Sequence, residues 1–256
     1  MTSSPDKIRI VAIPGFGGAG GDYEPLSRRL PDYEWHALTW PGCAGVPYDR
    51  PQIYMPEHLS NWLCSTVRPN DVVLGYSMGR RLALQSLARG LSCRALIVVA
   101  ATPGIRSITQ RAARKEADEA LAMSVINTGA EAFYERWAQH PLIRTQARIE
   151  APFYERMRAR RKMNDSHVVA DALRCFGQGS LSPVWTGVVQ STLPVLLVTG
   201  SEDAKYTMLL RELAAQWQTA EHVVLEAGHA AHLENADAMA QEVERFLNRV
   251  VAVDRQ

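Results

Sequence analysis

The chain has little of what would mark it for a membrane, a metal or a nucleic acid. Its four cysteines, Cys43, Cys64, Cys93 and Cys175, are scattered and form no CxxC pair. That excludes the usual spacings of a zinc site or a disulfide framework, and the cysteines read as small core or surface residues kept reduced. No stretch approaches the roughly 18 consecutive apolar residues that a membrane span needs. The segment from Met1 to Lys7 lacks the long apolar core of a signal peptide. A formal net charge of +1 supplies no field that would draw nucleic acid or an anionic membrane. The expectation is a soluble, cytoplasmic protein with no nucleic-acid partner and no membrane insertion. Nothing in the sequence specifies an oligomeric partner.

What is present is an ordinary globular balance, 46% hydrophobic and 21% charged residues over 256 positions. That length accommodates one large domain or a core carrying an insert. Short β-branched runs at 8–13, 35–38, 71–74, 95–99, 194–199 and 222–225 show little polar alternation. Segments at 56–63, 81–89, 207–217 and 237–250 carry apolar residues at three- and four-residue spacing. Strands without alternation, separated by helices, predict an α/β fold with a mostly parallel, doubly wound sheet.

The middle of the chain differs. Between Ile105 and Gly179 no strand is convincing, and helical patterns at 111–126, 130–138 and 168–176 are punctuated by Pro141, Pro152 and Gly177. A core of 1–104 and 180–256 carrying a helical cap at 105–179 is therefore expected. Sites in open α/β sheets lie beyond the carboxyl ends of the strands, where such an insert can cover them. Residues 111–162 hold 11 Lys plus Arg against 7 Asp plus Glu. The excess reads either as a solvated helical surface or as a lid that supplies cations to an anionic small molecule.

The stretch Gly75-Tyr76-Ser77-Met78-Gly79 follows a strand and opens a helix, which is the setting of a serine at a tight strand-to-helix turn. A serine hydroxyl is a weak nucleophile or base until an imidazole accepts its proton. His229, in Gly228-His229-Ala230-Ala231-His232, stands a short loop after a strand and is the better partner; His232 supports the loop or lines the pocket. The other histidines have weaker contexts and read as structural or surface residues. The carboxylate that would fix the imidazole is Asp203, just past the strand at 194–199. Adjacent Glu202 stays open on spacing alone. Ser77, Asp203 and His229 follow the serine–acid–histidine order of the α/β-hydrolase fold. The glycine-rich run from Gly15 to Gly21 after the first strand can present backbone N–H groups, with Phe16 and Met78 as the oxyanion pair. As a phosphate loop it lacks the Gly-Lys-Ser/Thr of a Walker motif, and as a dinucleotide fingerprint it leaves Ser77, Asp203 and His229 without a role.

With these residues in place the chain resembles the α/β-hydrolase superfamily and, within it, the 2-succinyl-6-hydroxy-2,4-cyclohexadiene-1-carboxylate synthase family of the menaquinone pathway. The resemblance runs from about Ile13 to Phe246. It is carried by Gly75 to Gly79 with Arg81-Leu82-Ala83-Leu84, by Thr102-Pro103-Gly104-Ile105 and by Arg111-Ala112-Ala113-Arg114. Trp137 before Pro141, Arg161 before Asn164, the run from Gly200 to Tyr206 and the run from Gly228 to Asn235 add to it. The resemblance implies a lyase: a serine–histidine pair abstracts a proton from 2-succinyl-5-enolpyruvyl-6-hydroxy-3-cyclohexene-1-carboxylate, and pyruvate leaves by elimination. It places Tyr76 beside the substrate, Arg81, Arg114 and Arg161 on its carboxylates, and Trp137 in the pocket lining, with no metal or organic cofactor. Arginine's planar donor fork suits such carboxylates.

The chain departs from the family pattern in three places. Pro14-Gly15 stands where His-Gly is usual, Arg80 replaces a second glycine after the serine, and Val98 to Ala101 replaces a usual acidic residue. The alternative reading is a serine ester or thioester hydrolase acting on a carboxylated small molecule.

Overall fold

The computed structural model describes residues 7–49 and 51–253. Among these residues, β1 (Arg9–Ile13), β2 (Glu34–Ala37), β3 (Val72–Tyr76), β4 (Ala95–Val99), β5 (Val195–Gly200) and β6 (Ala220–Leu225) form one parallel sheet in the order β2-β1-β3-β4-β5-β6. The chain starts at β1, steps out to β2, crosses back to β3 and then proceeds to β6. The direction of winding reverses between β1 and β3, so the loops leaving these neighbours diverge and open a crevice. Ile13 pairs with Gly75 and Tyr76 with Val99, which brings the carboxyl ends of β1, β3 and β4 level.

β1, β3, β4 and β5 are buried along their whole length, whereas the edge strands β2 and β6 are partly exposed. Burial on both faces explains why these runs lack polar alternation. Ile10, Val72, Leu74 and Ile97 face one helical layer with Leu26 of α1 (Glu24–Ser27) and Val243 of α11 (Ala236–Val253). Val11, Val73, Leu96 and Val98 face the other. That layer holds α2 (Pro56–Thr66), α3 (Met78–Leu87), α8 (Trp185–Val189) and α9 (Ala204–Gln216). At the opposite end of the sheet from the crevice, Arg9 on β1 donates to Asp71 at 3.0 and 2.5 Å, a buried ion pair that clamps β1 to the start of β3.

Between β4 and β5 the described residues contain α4 (Ile108–Thr128), α5 (Ala130–Trp137), α6 (Ala151–Lys162) and α7 (Ser166–Phe176), and no strand. Ser107 caps α4 by accepting from Gln110 N, and Asp165 caps α7 by accepting from His167 N and Val168 N. Val125, Phe133, Val169 and Leu173 form a small core of this insertion, against which Phe16 of the β1 loop packs. Short α10 (Ala231–Glu234) follows β6.

The helix at α6 is absent from the sequence expectation. It buries only Phe153, Met157 and Arg161, one residue every fourth position, and the third of these is a cation. Two apolar residues make too narrow a stripe for periodicity to register. No helix among the described residues is long and apolar enough to cross a membrane.

Candidate active site

β3 continues two residues beyond the predicted end at Leu74, and α3 starts at Met78, leaving Ser77 alone at the turn. Its backbone sits at φ 50°, ψ −105°, a strained conformation for a residue with a Cβ, costing on the order of 1–3 kcal/mol. The turn is tight because α3 crosses the end of β1: a Cβ on Gly79 would lie 2.1 Å from the carbonyl oxygen of Ile13. Glycine is therefore required there, and the close crossing holds Ser77 at the mouth of the crevice.

His229 Nε2 lies 3.3 Å from Ser77 Oγ, and His229 Nδ1 lies 2.6 Å from Asp203 Oδ2. Asp203 and His229 are both buried. The loops bearing them touch through Gly200, where a Cβ would come within 2.1 Å of Gly228 O. Burial holds the imidazole below its usual histidine value, against the opposing pull of Asp203. A neutral ring donates from Nδ1 to the carboxylate and keeps the Nε2 lone pair for the serine proton. Glu202, left open by spacing, is exposed and pairs with Arg148 instead.

The His229 loop is held by a residue that spacing alone did not single out. Glu234 accepts from Gly228 N at 2.7 Å and Ala230 N at 3.0 Å, bracketing His229, and from Thr145 Oγ1 at 3.0 Å. His232 is buried against Tyr76, ring centroids 4.4 Å apart, and does not line the cavity.

Ser77 and His229 open onto a cavity of about 270 Å³ whose wall also includes Phe16, Met78, Arg81 and Arg114. Among the described residues no acceptor engages the backbone N–H of Phe16 or of Met78. The Phe16 ring packs against Phe133, Tyr134 and Trp137 of the insertion. Trp40 Nε1 donates to the carbonyls of Pro14 and Gly15, which turns those acceptors away. Arg81 donates to Phe176 O at 3.1 Å and has no carboxylate within ion-pair distance among the described residues. Burial, then repulsion from Arg80, brings its guanidinium down to about 10. Such a half-buried cation gains from an incoming anion. Arg114 is already neutralised by buried Asp118 at 2.8 Å. Trp137 lines the cavity with His140 stacked on it, a histidine expected to be structural or surface.

Two sequence-predicted residues stand off this wall. Tyr76 lies behind His229, its hydroxyl accepting from Gln146 Nε2 at 3.1 Å. Arg161 donates to Gln146 Oε1 at 3.2 Å and lies 3.7 Å from Asp22 Oδ2. It lines a separate space of about 20 Å³, beyond Trp137 and Ile143. The structure therefore gathers Ser77, His229, Phe16, Met78, Arg81, Arg114 and Trp137 around one cavity with Asp203 behind His229, and leaves Tyr76 and Arg161 off its lining. Arg80 is fully buried; it points away from the serine turn, donating to Thr102 O and lying over the ring of Tyr206. Among the described residues no cluster of three His, Cys, Asp or Glu could hold a metal ion.

The chain is similar to known proteins in both sequence and fold. The chain matches the alpha/beta hydrolase family over residues 10–242. A Bacillus subtilis (strain 168) protein provisionally named 2-succinyl-6-hydroxy-2,4-cyclohexadiene-1-carboxylate synthase is 31% identical over 251 residues, 94% of this chain and 90% of the relative. The protein of that name from Enterobacter sp. (strain 638) is 26% identical, covering 90% of this chain and 88% of its own. In fold, MenH from S. aureus superposes with a TM-score of 0.90 at 22% identity, over 97% of this chain and 96% of that one. This chain is thus an α/β-hydrolase-fold protein belonging to the 2-succinyl-6-hydroxy-2,4-cyclohexadiene-1-carboxylate synthase family.

Proposed function

We propose that the protein is a carbon–oxygen lyase that eliminates pyruvate from 2-succinyl-5-enolpyruvyl-6-hydroxy-3-cyclohexene-1-carboxylate, giving 2-succinyl-6-hydroxy-2,4-cyclohexadiene-1-carboxylate. The observation that carries this reading is the half-buried Arg81, with no carboxylate within ion-pair distance among the described residues, lining the same cavity as the Ser77–His229 pair. A cavity built that way favours an anionic ligand beside a base.

In this reading Ser77, His229 and Asp203 act as one base. The serine proton moves to His229 Nε2 while Ser77 Oγ takes a proton from a ring carbon of the substrate. The C2–H electron pair becomes the C2–C3 double bond, the existing C3–C4 pair shifts to C4–C5, and the C5–O pair leaves with pyruvate as its enolate. The enolate recovers the proton held on His229 and ketonises, so the base returns to its starting state. Asp203 keeps Nδ1 protonated and stabilises the imidazolium formed in passing. The free N–H groups of Phe16 and Met78 suit the negative charge that develops on oxygen. Arg81 holds a substrate carboxylate, with Arg114 and Trp137 completing the pocket; Tyr76 and Arg161, joined by Gln146, stand behind it. The helices at 105–179 serve as the cap over the core formed by the described residues of 1–104 and 180–256; residues 1–6, 50 and 254–256 of that division lie outside the described residues. The reaction fits the cytoplasm, where free cysteines stay reduced.

The test mixes purified protein with the named substrate and follows pyruvate. Release above a Ser77→Ala control is expected, and no release above that control sinks the reading. The strained Ser77 turn also favours a second reading, acyl transfer to serine in an ester or thioester hydrolase. Intact mass during turnover separates the two: elimination leaves the protein unmodified, whereas hydrolysis passes through an acyl adduct on Ser77.

A further inference from the structure

Arg80, which the family pattern does not account for, sits behind a cavity residue that the proposed reaction has not used. Tyr206, the third residue of α9, lines the Ser77–His229 cavity, and its ring centroid lies 5.0 Å from that of His229. The guanidinium of Arg80 stands 4.9 Å from the same ring centroid on the far side of the wall. Arg80 is 0% exposed, and its Nε and Nη2 have no hydrogen-bond partner among the described residues. A buried guanidinium is a costly group to keep, and no carboxylate lies within ion-pair distance of this one among the described residues.

The hydrogen-bond order at Tyr206 is set by its neighbours. Asp118 accepts from Arg114 Nε at 2.8 Å, Arg114 Nη1 donates to Gln178 Oε1 at 3.2 Å, and Gln178 Nε2 donates to Tyr206 Oη at 3.3 Å. Arg114 cannot accept, so the Gln178 amide is oriented with its oxygen toward Arg114 and its nitrogen toward the phenol. The phenol accepts from Gln178, and neighbouring Arg80 can only donate to it, which leaves its own O–H uncommitted. Burial raises the Tyr206 phenol, but Arg80, Arg81 and Lys205 together outweigh it and leave the group below the ordinary tyrosine value. The charges around it are Arg80 and Arg81 from α3, Lys205 and Asp203 at the start of α9, His229 after β6, and Arg114 through Gln178. The balance is cationic.

We infer that Tyr206 is a further ligand-contacting residue of this site. Its hydroxyl donates a hydrogen bond to a carboxylate or enolate oxygen of the bound anion, and Arg80 is the positioning residue that strengthens that donor from behind. The inference rests on the reading of the cavity as an anion site and adds to it a second donor beside Arg81. It also gives Arg80 a purpose: a cation too deep to touch the ligand acts on it through an aromatic hydroxyl. Loss of one charge-assisted hydrogen bond weakens binding by roughly 10- to 100-fold.

The test titrates wild-type protein, Tyr206→Phe, Arg80→Met and the double variant with succinate by calorimetry, and follows phenolate absorbance against pH with and without succinate. Tyr206→Phe keeps the ring on His229 and Arg80 and removes only the hydroxyl. Succinate should bind Tyr206→Phe roughly 10- to 100-fold more weakly than wild type. Arg80→Met should weaken wild type but change Tyr206→Phe little. One phenol should ionise ahead of the others in wild type, be absent in Tyr206→Phe, and shift upward when succinate is bound. Unchanged succinate affinity in Tyr206→Phe, a phenol step indifferent to succinate, or no binding of succinate by wild type each overturns the inference. The two readings fail separately. A protein that shows these effects but releases no pyruvate keeps the Tyr206 contact and loses the reaction; normal pyruvate release with unchanged succinate affinity in Tyr206→Phe does the reverse.

Discussion

Acid should destabilise this protein through His232, and His232→Phe should remove much of that sensitivity. The His232 ring is buried between Tyr23 and Tyr76, with centroid distances of 5.3 and 4.4 Å, and its Nδ1 has no hydrogen-bond partner. Burial first, then the charges of His229 and Arg161, bring its ionisation down to about 3. In the unfolded chain a histidine titrates near ~6.5. The folded value lies below the unfolded one, so the unfolded state binds the proton first as pH falls. His232 therefore contributes its full stability above the unfolded value and loses it as pH drops toward the folded value. The gap corresponds to a loss of up to ~5 kcal/mol, of which about 2 kcal/mol is gone by about pH 5. Against a typical total of roughly 5–15 kcal/mol, that is enough to matter. Phenylalanine keeps a ring between the two tyrosines and has nothing to protonate. Urea unfolding at about pH 8 and about pH 5 should show wild type losing about 2 kcal/mol more than His232→Phe. His229, also held below its usual value, leaves both proteins with a shared residual slope. Equal losses in the two proteins would refute the burial argument.

Asp203→Asn should lower kcat for pyruvate release by about 10³- to 10⁴-fold, because the amide no longer holds the required imidazole tautomer. Glu202→Gln, which breaks only an exposed pair with Arg148, should stay within about threefold of wild type; equal losses in the two variants would reassign the acid. Arg81→Met should lower kcat/KM for the carboxylated substrate by roughly 10- to 100-fold, mainly through KM. Unchanged constants would remove Arg81 from the carboxylate site. Asp71→Ala strands buried Arg9 without its partner and should cost about 3–5 kcal/mol in urea unfolding. A loss below about 1 kcal/mol would show the pair to be solvated.

The central strands were legible because burial on both faces writes itself into composition: β1, β3, β4 and β5 are continuous apolar runs. Only their ends moved, as where β3 runs on through Gly75 and Tyr76. Ser77, Asp203 and His229 were legible because each follows a strand by a short turn. The helix α6 was not. Its arginines and its one lysine hold Asp22, Glu24, Glu131 and Glu135, and its one buried cation occupies a position where periodicity looks for an apolar residue. Glu234 was hidden for a related reason. Its two accepted backbone bonds define the His229 loop, but a glutamate near a histidine looks the same on paper whether it faces solvent or the main chain.

Sequence alone determined the parallel α/β sheet, the serine turn and the order of its partners, since these depend on local pattern and on what a tight turn permits. Tertiary structure decided which charges reach the cavity. Arg81, Arg114 and Arg161 are alike as sequence, yet one faces the cavity without a carboxylate, one is neutralised by Asp118, and one is held a layer back by Gln146 and Asp22. Arg80, one residue from Arg81, is fully buried over the ring of Tyr206 and does not line the cavity. The reason is physical: a guanidinium's charge is the same everywhere, and only the packing around it sets how much water it has lost and which anion it meets.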